Sequence, residues 1–243
     1  MVATTSNVAA PSSKNVLARF VGVFFAPRAT YADVAARPRV LGMLAVVLAI
    51  IVSATFLFLS TEVGQQASLD NQVRQMESFG RTVTDQQYAQ MERMAPYSRY
   101  FAAGFQLTLT PVMALIVAGL AYAVFNAALG GDATFKQVYA IVVHSGAILT
   151  SQALFSMPLA YARESLSGAT NLAVFFPFLE ENTFAARALG SIDLFLVWWM
   201  VSLAIGLGVL YKKRTAPIAT SILVIYGAIG LIIAAVKTAS SGA

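Results

Sequence analysis

Apolar residues in this chain fall in long uncharged blocks separated by short polar connections, not in the mixed pattern of a water-soluble core. A helix crossing the hydrocarbon core, about 30 Å thick, needs about 20 largely apolar residues, because every backbone polar group must be bonded within it. Five windows meet that requirement. The clearest is 40–61, uncharged from Arg39 to Glu62 and centred on LGMLAVVLAIIVSATFLFL. The second, 105–129, is predicted to run from near Phe105 to Leu129, with a bend allowed at Pro111. The third, 137–161, carries His144, Gln152 and Pro158 and is the least apolar. The fourth, 188–211, holds Asp193 near its start and Trp198 and Trp199 in its interior. The fifth, 215–236, opens close to Pro217, where a missing N–H costs little.

Two apolar pieces are too short to span. NLAVFFPFL, 171–179, has a central Pro177 and reads as an interfacial or re-entrant segment. VLARFVGVFFA, 16–26, is broken by Arg19. A cleaved signal peptide is a poor fit, since Pro27 and Arg28 stand where a small-residue cleavage site would lie. The spacing predicts instead an interfacial helix with Leu17, Phe20, Val21 and Phe24 on one face. Thr30 and Asp33 read as a capping box opening a helix that stops before Pro38, and Thr84 and Gln87 as a second one in a loop of two amphipathic helices ended by Pro96. Gly130 and Gly131 permit a tight reversal, after which Thr134 caps the third span with Gln137 reaching back. Gly119, Ala123 and Ala127 offer a smooth packing face.

The predicted fold is therefore all-α: an integral membrane bundle of five transmembrane helices, with amphipathic interfacial helices at the N-terminus and in the first outer loop. Its organisation reads as a disordered tail over 1–13, cytoplasmic interfacial helices over 14–38 and the membrane domain over 39–243.

Composition agrees. Charged residues make up 11% of the chain and apolar ones 58%, whereas soluble domains carry roughly 25% charge. The net charge of +5 comes from basic residues beside apolar blocks, which topology and anionic headgroups explain without nucleic acid. With no cysteine, disulfides, thiolate nucleophiles and Cys-ligated metals are excluded. Nine of the sixteen Lys and Arg residues fall on one side of a five-span chain, namely Lys14, Arg19, Arg28, Arg37, Arg39, Lys136, Lys212, Lys213 and Arg214. Those flanking short connections place the N-terminus in the cytoplasm and the C-terminus outside.

Two stretches carry a family resemblance: FFAPRATYADVAARPR, 24–39, and GGDATFKQVYAIVVHSGA, 130–147. With five spans they resemble the bacterial branch of the YIP family, the Ypt/Rab-interacting membrane proteins, over most of the chain. The motif positions are Pro27, Thr30, Tyr31, Gly130, Gly131, Thr134 and Phe135. The resemblance implies a five-helix membrane bundle with a cytoplasmic N-terminus and an outward C-terminus; the expected location is a bacterial inner membrane, and no cofactor is expected. Eukaryotic members associate with small GTPases in vesicle traffic or membrane shaping. The DLYGP signature of those members is missing here, and GTPase binding is not carried over.

Candidate chemistry is sparse. His144 is the single histidine, without cysteine or a second histidine to build a metal site, and its expected role is an interhelical hydrogen bond, with Asn126 as partner. Asp193 and Gln152 complete the intramembrane polar set, with Asp193 and His144 expected in opposite leaflets. No G-x-S-x-G elbow, phosphate-cradling glycine loop or H-E-x-x-H occurs. The expected role is a non-enzymatic membrane protein that contacts the bilayer and acts through membrane-protein partners, self-association or membrane shaping, with no small-molecule ligand. The alternative is a small transporter or permease subunit using Asp193, Gln152 and His144.

Overall fold

A computed structural model describes residues 14–168, 170–180 and 183–240, so the tail at 1–13 lies outside the described residues. All its regular elements are helical, and the only extended pairing among the described residues is an isolated bridge between Asn171 and Asp193.

Helix α1, Val16–Phe25, opens on Asn15, whose Oδ1 accepts the N–H of Ala18 at 2.7 Å. After the single residue Ala26, helix α2, Pro27–Ala36, begins with proline in its first turn. The Thr30 capping box is therefore corrected. Pro27 needs no N–H partner and its fixed φ suits the first helical position, so the helix starts before Thr30 and ends, as expected, ahead of Pro38.

The two helices form a hairpin nearly symmetric about Ala26. Arg19 meets Asp33 and Gly22 meets Thr30, where a Cβ on residue 22 would collide with the threonine side chain. The face expected on α1 is also corrected. Phe20 and Phe24 pack against the core, while Leu17, Val21 and Phe25 point outward. Arg19 decides this rotation: its ion pair must lie inside the hairpin, and with Val23 it forms the centre of the buried face.

Helix α3, Leu41–Leu59, is followed by α4, Glu62–Ser78, and by α5, Asp85–Met94, which starts on the predicted Thr84 and Gln87 capping box. Pro96 does not end the helical run. It sits in a 3-10 turn, Ala95–Tyr97, that leads directly into α6, Ser98–Tyr122, and then into a π-helical segment, Ala123–Ala128. A proline at the start of a turn has no N–H to leave unsatisfied, which is why the chain continues. Next come α7, Phe135–Ser145, α8, Ala147–Arg163, α9, Phe184–Gly190, α10, Leu194–Leu210, and α11, Thr215–Ser240. The fourth window is thus interrupted at 191–193, and Asp193 is the N-cap of α10 rather than a residue inside it.

Among the described residues four helical runs are long and apolar enough to cross a membrane: Leu41–Leu59, Asp85–Ala128, Phe135–Arg163 and Thr215–Ser240. Helix α10 is apolar but has 17 residues. The α7–α8 run is the most enclosed and forms the axis of the molecule. Val138, Ile141 and Ile148 from it meet Tyr31 and Val34 of α2 and Leu203 and Leu207 of α10 in one apolar core. Helices α3 and α6 pack on that axis and α11 packs on α10; α6 and α11 turn large apolar side chains outward, among them Leu115, Leu120, Ile229 and Ile232. Such broad apolar surfaces are unsuited to water and match lipid contact.

The small-residue face on α6 is not where packing occurs. Ala123 and Ala127 are exposed and a Cβ on Gly119 would meet nothing, whereas Ala118 and Phe125 are buried. Packing is set by the side that meets α3 and α7, not by small residues alone.

Candidate functional site

The two motif stretches converge at one end of the bundle. Gly130 has φ +66°, and the N–H of Gly131 donates to the Phe125 carbonyl at 2.8 Å, closing the reversal into α7. A Cβ on Gly131 would lie 2.7 Å from the Tyr211 ring, so this glycine lets α10's end approach the turn. Thr134 and Gln137 form the expected capping box, and Phe135 stacks on Tyr139 and meets Tyr122 edge-on. Gln137 does a second thing: its Nε2 donates to the Ala35 carbonyl at 2.9 Å, tying the start of α7 to α2.

From α2, Thr30 and Tyr31 point into the bundle and are fully buried. The Tyr31 hydroxyl bonds the Ser202 hydroxyl at 2.6 Å, and a Cβ on Gly206 would lie 2.5 Å from Ile141 and 3.2 Å from the Tyr31 ring. Thr30 Oγ1 accepts from Lys14 Nζ at 3.2 Å, and Arg28 donates to Thr215 Oγ1 at 3.2 Å. Thus α2 is wedged between α7 and α10 and linked to the start of α11. Nothing in the sequence marks Ser202 and Gly206 as neighbours of Tyr31, because their spacing on an apolar helix carries no signal until Tyr31 is placed against them.

The profile of the Yip1 domain matches residues 21–236, nearly the whole described chain and both stretches at this junction. The chain belongs to the Yip1 family. Neither a search of curated proteins nor one of solved structures found a match. Membership makes it a membrane protein of a family not known for enzymes.

The polar residues of this Yip1 protein divide into two groups. Asp193 Oδ1 accepts the N–H groups of Phe195 and Leu196 at 2.8 and 3.0 Å, capping α10. Its Oδ2 accepts from Gln152 Nε2 at 2.9 Å and from the Thr170 hydroxyl. Its own N–H donates to the Tyr226 hydroxyl at 3.0 Å, and that hydroxyl donates to the Ser191 carbonyl at 2.8 Å. The segment after α8 is held here too, by Leu172 N–H to the Ile192 carbonyl and Leu194 N–H to the Thr170 carbonyl, both 3.0 Å. NLAVFFPFL forms a 3-10 turn over Leu172–Phe175 beside this knot.

His144 belongs elsewhere. Its Nδ1–H donates to the Ala140 carbonyl of its own helix at 2.7 Å, and it lies within electrostatic reach of Arg19 and Asp33. Asn126, its expected partner, donates to the Ala133 carbonyl at 2.7 Å and accepts from the Tyr211 hydroxyl at 2.6 Å. Asn126 serves the glycine turn because that turn exposes a carbonyl within its reach. Arg19, which interrupts the apolar run of α1, has 2% of its side chain exposed and is not a free topology charge. It is instead a buried tie whose Nε meets Asp33 at 2.8 Å and whose Nη2 reaches the Arg37 carbonyl at 3.1 Å. Among the described residues no cluster of three His, Cys, Asp or Glu side chains is arranged to hold a metal.

Proposed function

We propose that this Yip1 protein is a non-catalytic, five-pass protein of the bacterial inner membrane, with its N-terminus in the cytoplasm and its C-terminus outside. In this reading it acts through protein partners, self-association or local shaping of the bilayer. The fifth crossing is α10, whose 17 largely apolar residues rise about 26 Å and approach the hydrocarbon thickness. Helices α1 and α2 are a cytoplasmic-side hairpin inserted among the spans.

The observation that carries the reading is that hairpin. It is locked inward by Arg19 to Asp33 and by Tyr31 to Ser202, and it presents Leu17, Val21 and Phe25 outward at four-residue spacing. A rigid apolar stripe beside the basic end suits insertion as a wedge among cytoplasmic-leaflet lipids. The polar set of the transport alternative does not assemble as one lining, since Gln152 joins Asp193 while His144 bonds the Ala140 carbonyl of its own helix.

The test is reconstitution into liposomes of the wild type and of a Leu17→Ser, Val21→Ser, Phe25→Ser variant, with vesicle shape read by electron cryomicroscopy. Wild-type protein is expected to narrow or tubulate vesicles and the variant to do so less. Unchanged vesicles, together with no partner recovered by capture in mild detergent, would sink the proposal.

A further inference from the structure

Helices α6 and α11 flank α10 and leave an open groove between them of about 700 Å³, within the range of small-ligand sites. Its floor is Trp199, Leu203 and Leu207 of α10, and its mouth, at the end where α10 gives way to α11, carries Lys213 and Arg214. Ser221 is the single hydroxyl on the lining. Trp199 directs its N–H away from the groove, to Ser145 Oγ at 2.9 Å. The interior is therefore apolar along its length and charged at one end.

We infer that this groove is a binding site for one anionic glycerophospholipid of the cytoplasmic leaflet, with an acyl chain along Trp199, Leu203 and Leu207 and the headgroup phosphate at Lys213 and Arg214. Length supports it. From Trp199 to Leu210 the helix rises about 17 Å, close to half of a hydrocarbon core of about 30 Å, so the groove is one leaflet deep. Charge supports it as well. Lys213 and Arg214 are exposed and neither forms an ion pair with a described residue. Basic pockets between helices on the cytoplasmic side are suited to phosphate headgroups. A second copy of this chain would bring its own Lys212, Lys213 and Arg214 to the same end, and like charges would face each other. The inference rests on the proposed function for the insertion of α6, α10 and α11 in a bilayer and for the cytoplasmic side of Lys213 and Arg214; it needs neither partners nor membrane shaping.

The chain has two tryptophans, so a Trp198→Phe variant leaves Trp199 as the sole indole reporter at the groove floor. This protein is reconstituted in phosphatidylcholine vesicles, and phosphatidylglycerol with brominated acyl chains is titrated in, with brominated phosphatidylcholine as the comparison. Quenching of Trp199 by the anionic lipid is expected to saturate at several-fold lower mole fraction. Replacing Lys213 and Arg214 by Gln removes about fivefold of that preference per residue, while Lys212→Gln, off the groove lining, leaves it in place. A Leu203→Trp variant would be misleading in fluorescence, so Leu203→Phe serves to narrow the groove and is expected to weaken quenching by both lipids. Equal quenching by the two lipids would overturn the inference, as would an equal loss in the Lys212 variant, which would mark general surface attraction. Quenching that falls as protein density in the vesicle rises would also overturn it, by showing a second copy in the groove.

Discussion

Arg19 and Asp33 meet at 2.8 Å across the α1–α2 hairpin, with Arg19 almost wholly enclosed and Asp33 held also by Arg37 at 3.9 Å. The pair sits seven residues either side of Ala26, so it fixes both the register of the hairpin and the rotation of α1. Removing one partner of a buried pair strands the other. Arg19→Leu is expected to lower stability by about 3 kcal/mol, the low end for such a loss because Arg37 remains near Asp33. The double variant Arg19→Leu, Asp33→Leu should recover much of it. Thermal unfolding in mild detergent checks the order, and a double variant no better than the single would refute this account.

Tyr31 and Ser202 join α2 to α10 through one buried bond. Tyr31→Phe is expected to cost about 1–3 kcal/mol by leaving the Ser202 hydroxyl without that partner. Gly206→Ala acts on the same junction by crowding Ile141 and the Tyr31 ring, at about 1–3 kcal/mol. Because the two sites touch, their effects should not add. Additive losses in the combined variant would show that the junction is not one unit.

Asp193 has four partners on its two carboxylate oxygens, two of them the N–H groups that begin α10. Asn caps helices about as well as Asp, while Ala does not. Asp193→Asn keeps the capping oxygen but sets an NH2 group against the Gln152 and Thr170 donors, so it is expected to cost less than Asp193→Ala, which also gives up the cap at about 1–2 kcal/mol. If Asp193→Asn abolishes cellular function in a protein that unfolds at the wild-type temperature, the carboxylate has a role beyond capping and the transport reading gains ground.

The native chain lacks cysteine, so single introduced cysteines report topology without background. Ala36 at the end of α2 and Ala239 near the end of α11 are both exposed. Five crossings place them on opposite sides. An impermeant thiol reagent added to intact cells should label Ala239→Cys and spare Ala36→Cys. Labelling of both or neither from outside would leave an even number of crossings.

Local chemistry was readable wherever the cause was local. The capping boxes at Thr84 and Thr134, the reversal at Gly130 and the stop before Pro38 each depend on neighbours within four residues, and each stands where the sequence placed it. The start of α2 differs from the expected one because a proline suits the first turn of a helix, and α6 starts at Ser98 instead of near Phe105 because an uncharged window longer than one crossing does not fix where its helix begins. Rotation was not readable. On α1 hydrophobicity alone grouped Leu17 and Val21 with Phe20 and Phe24, and a charge pair fourteen residues apart in sequence separated them.

The sequence by itself determined that this is a helical membrane protein, because apolar length and the need to satisfy backbone groups in lipid leave few alternatives. It also carried two stretches, 24–39 and 130–147, that fall within the residues matched by the Yip1 domain. Tertiary structure decided what those stretches do. Tyr31 finds Ser202, Gln137 finds the Ala35 carbonyl, Gln152 finds Asp193, and Lys213 and Arg214 stand at the mouth of an apolar groove. In an apolar helix every face looks alike to the sequence. Which face meets a neighbour depends on the few polar groups that must find partners, and those partners lie far away along the chain.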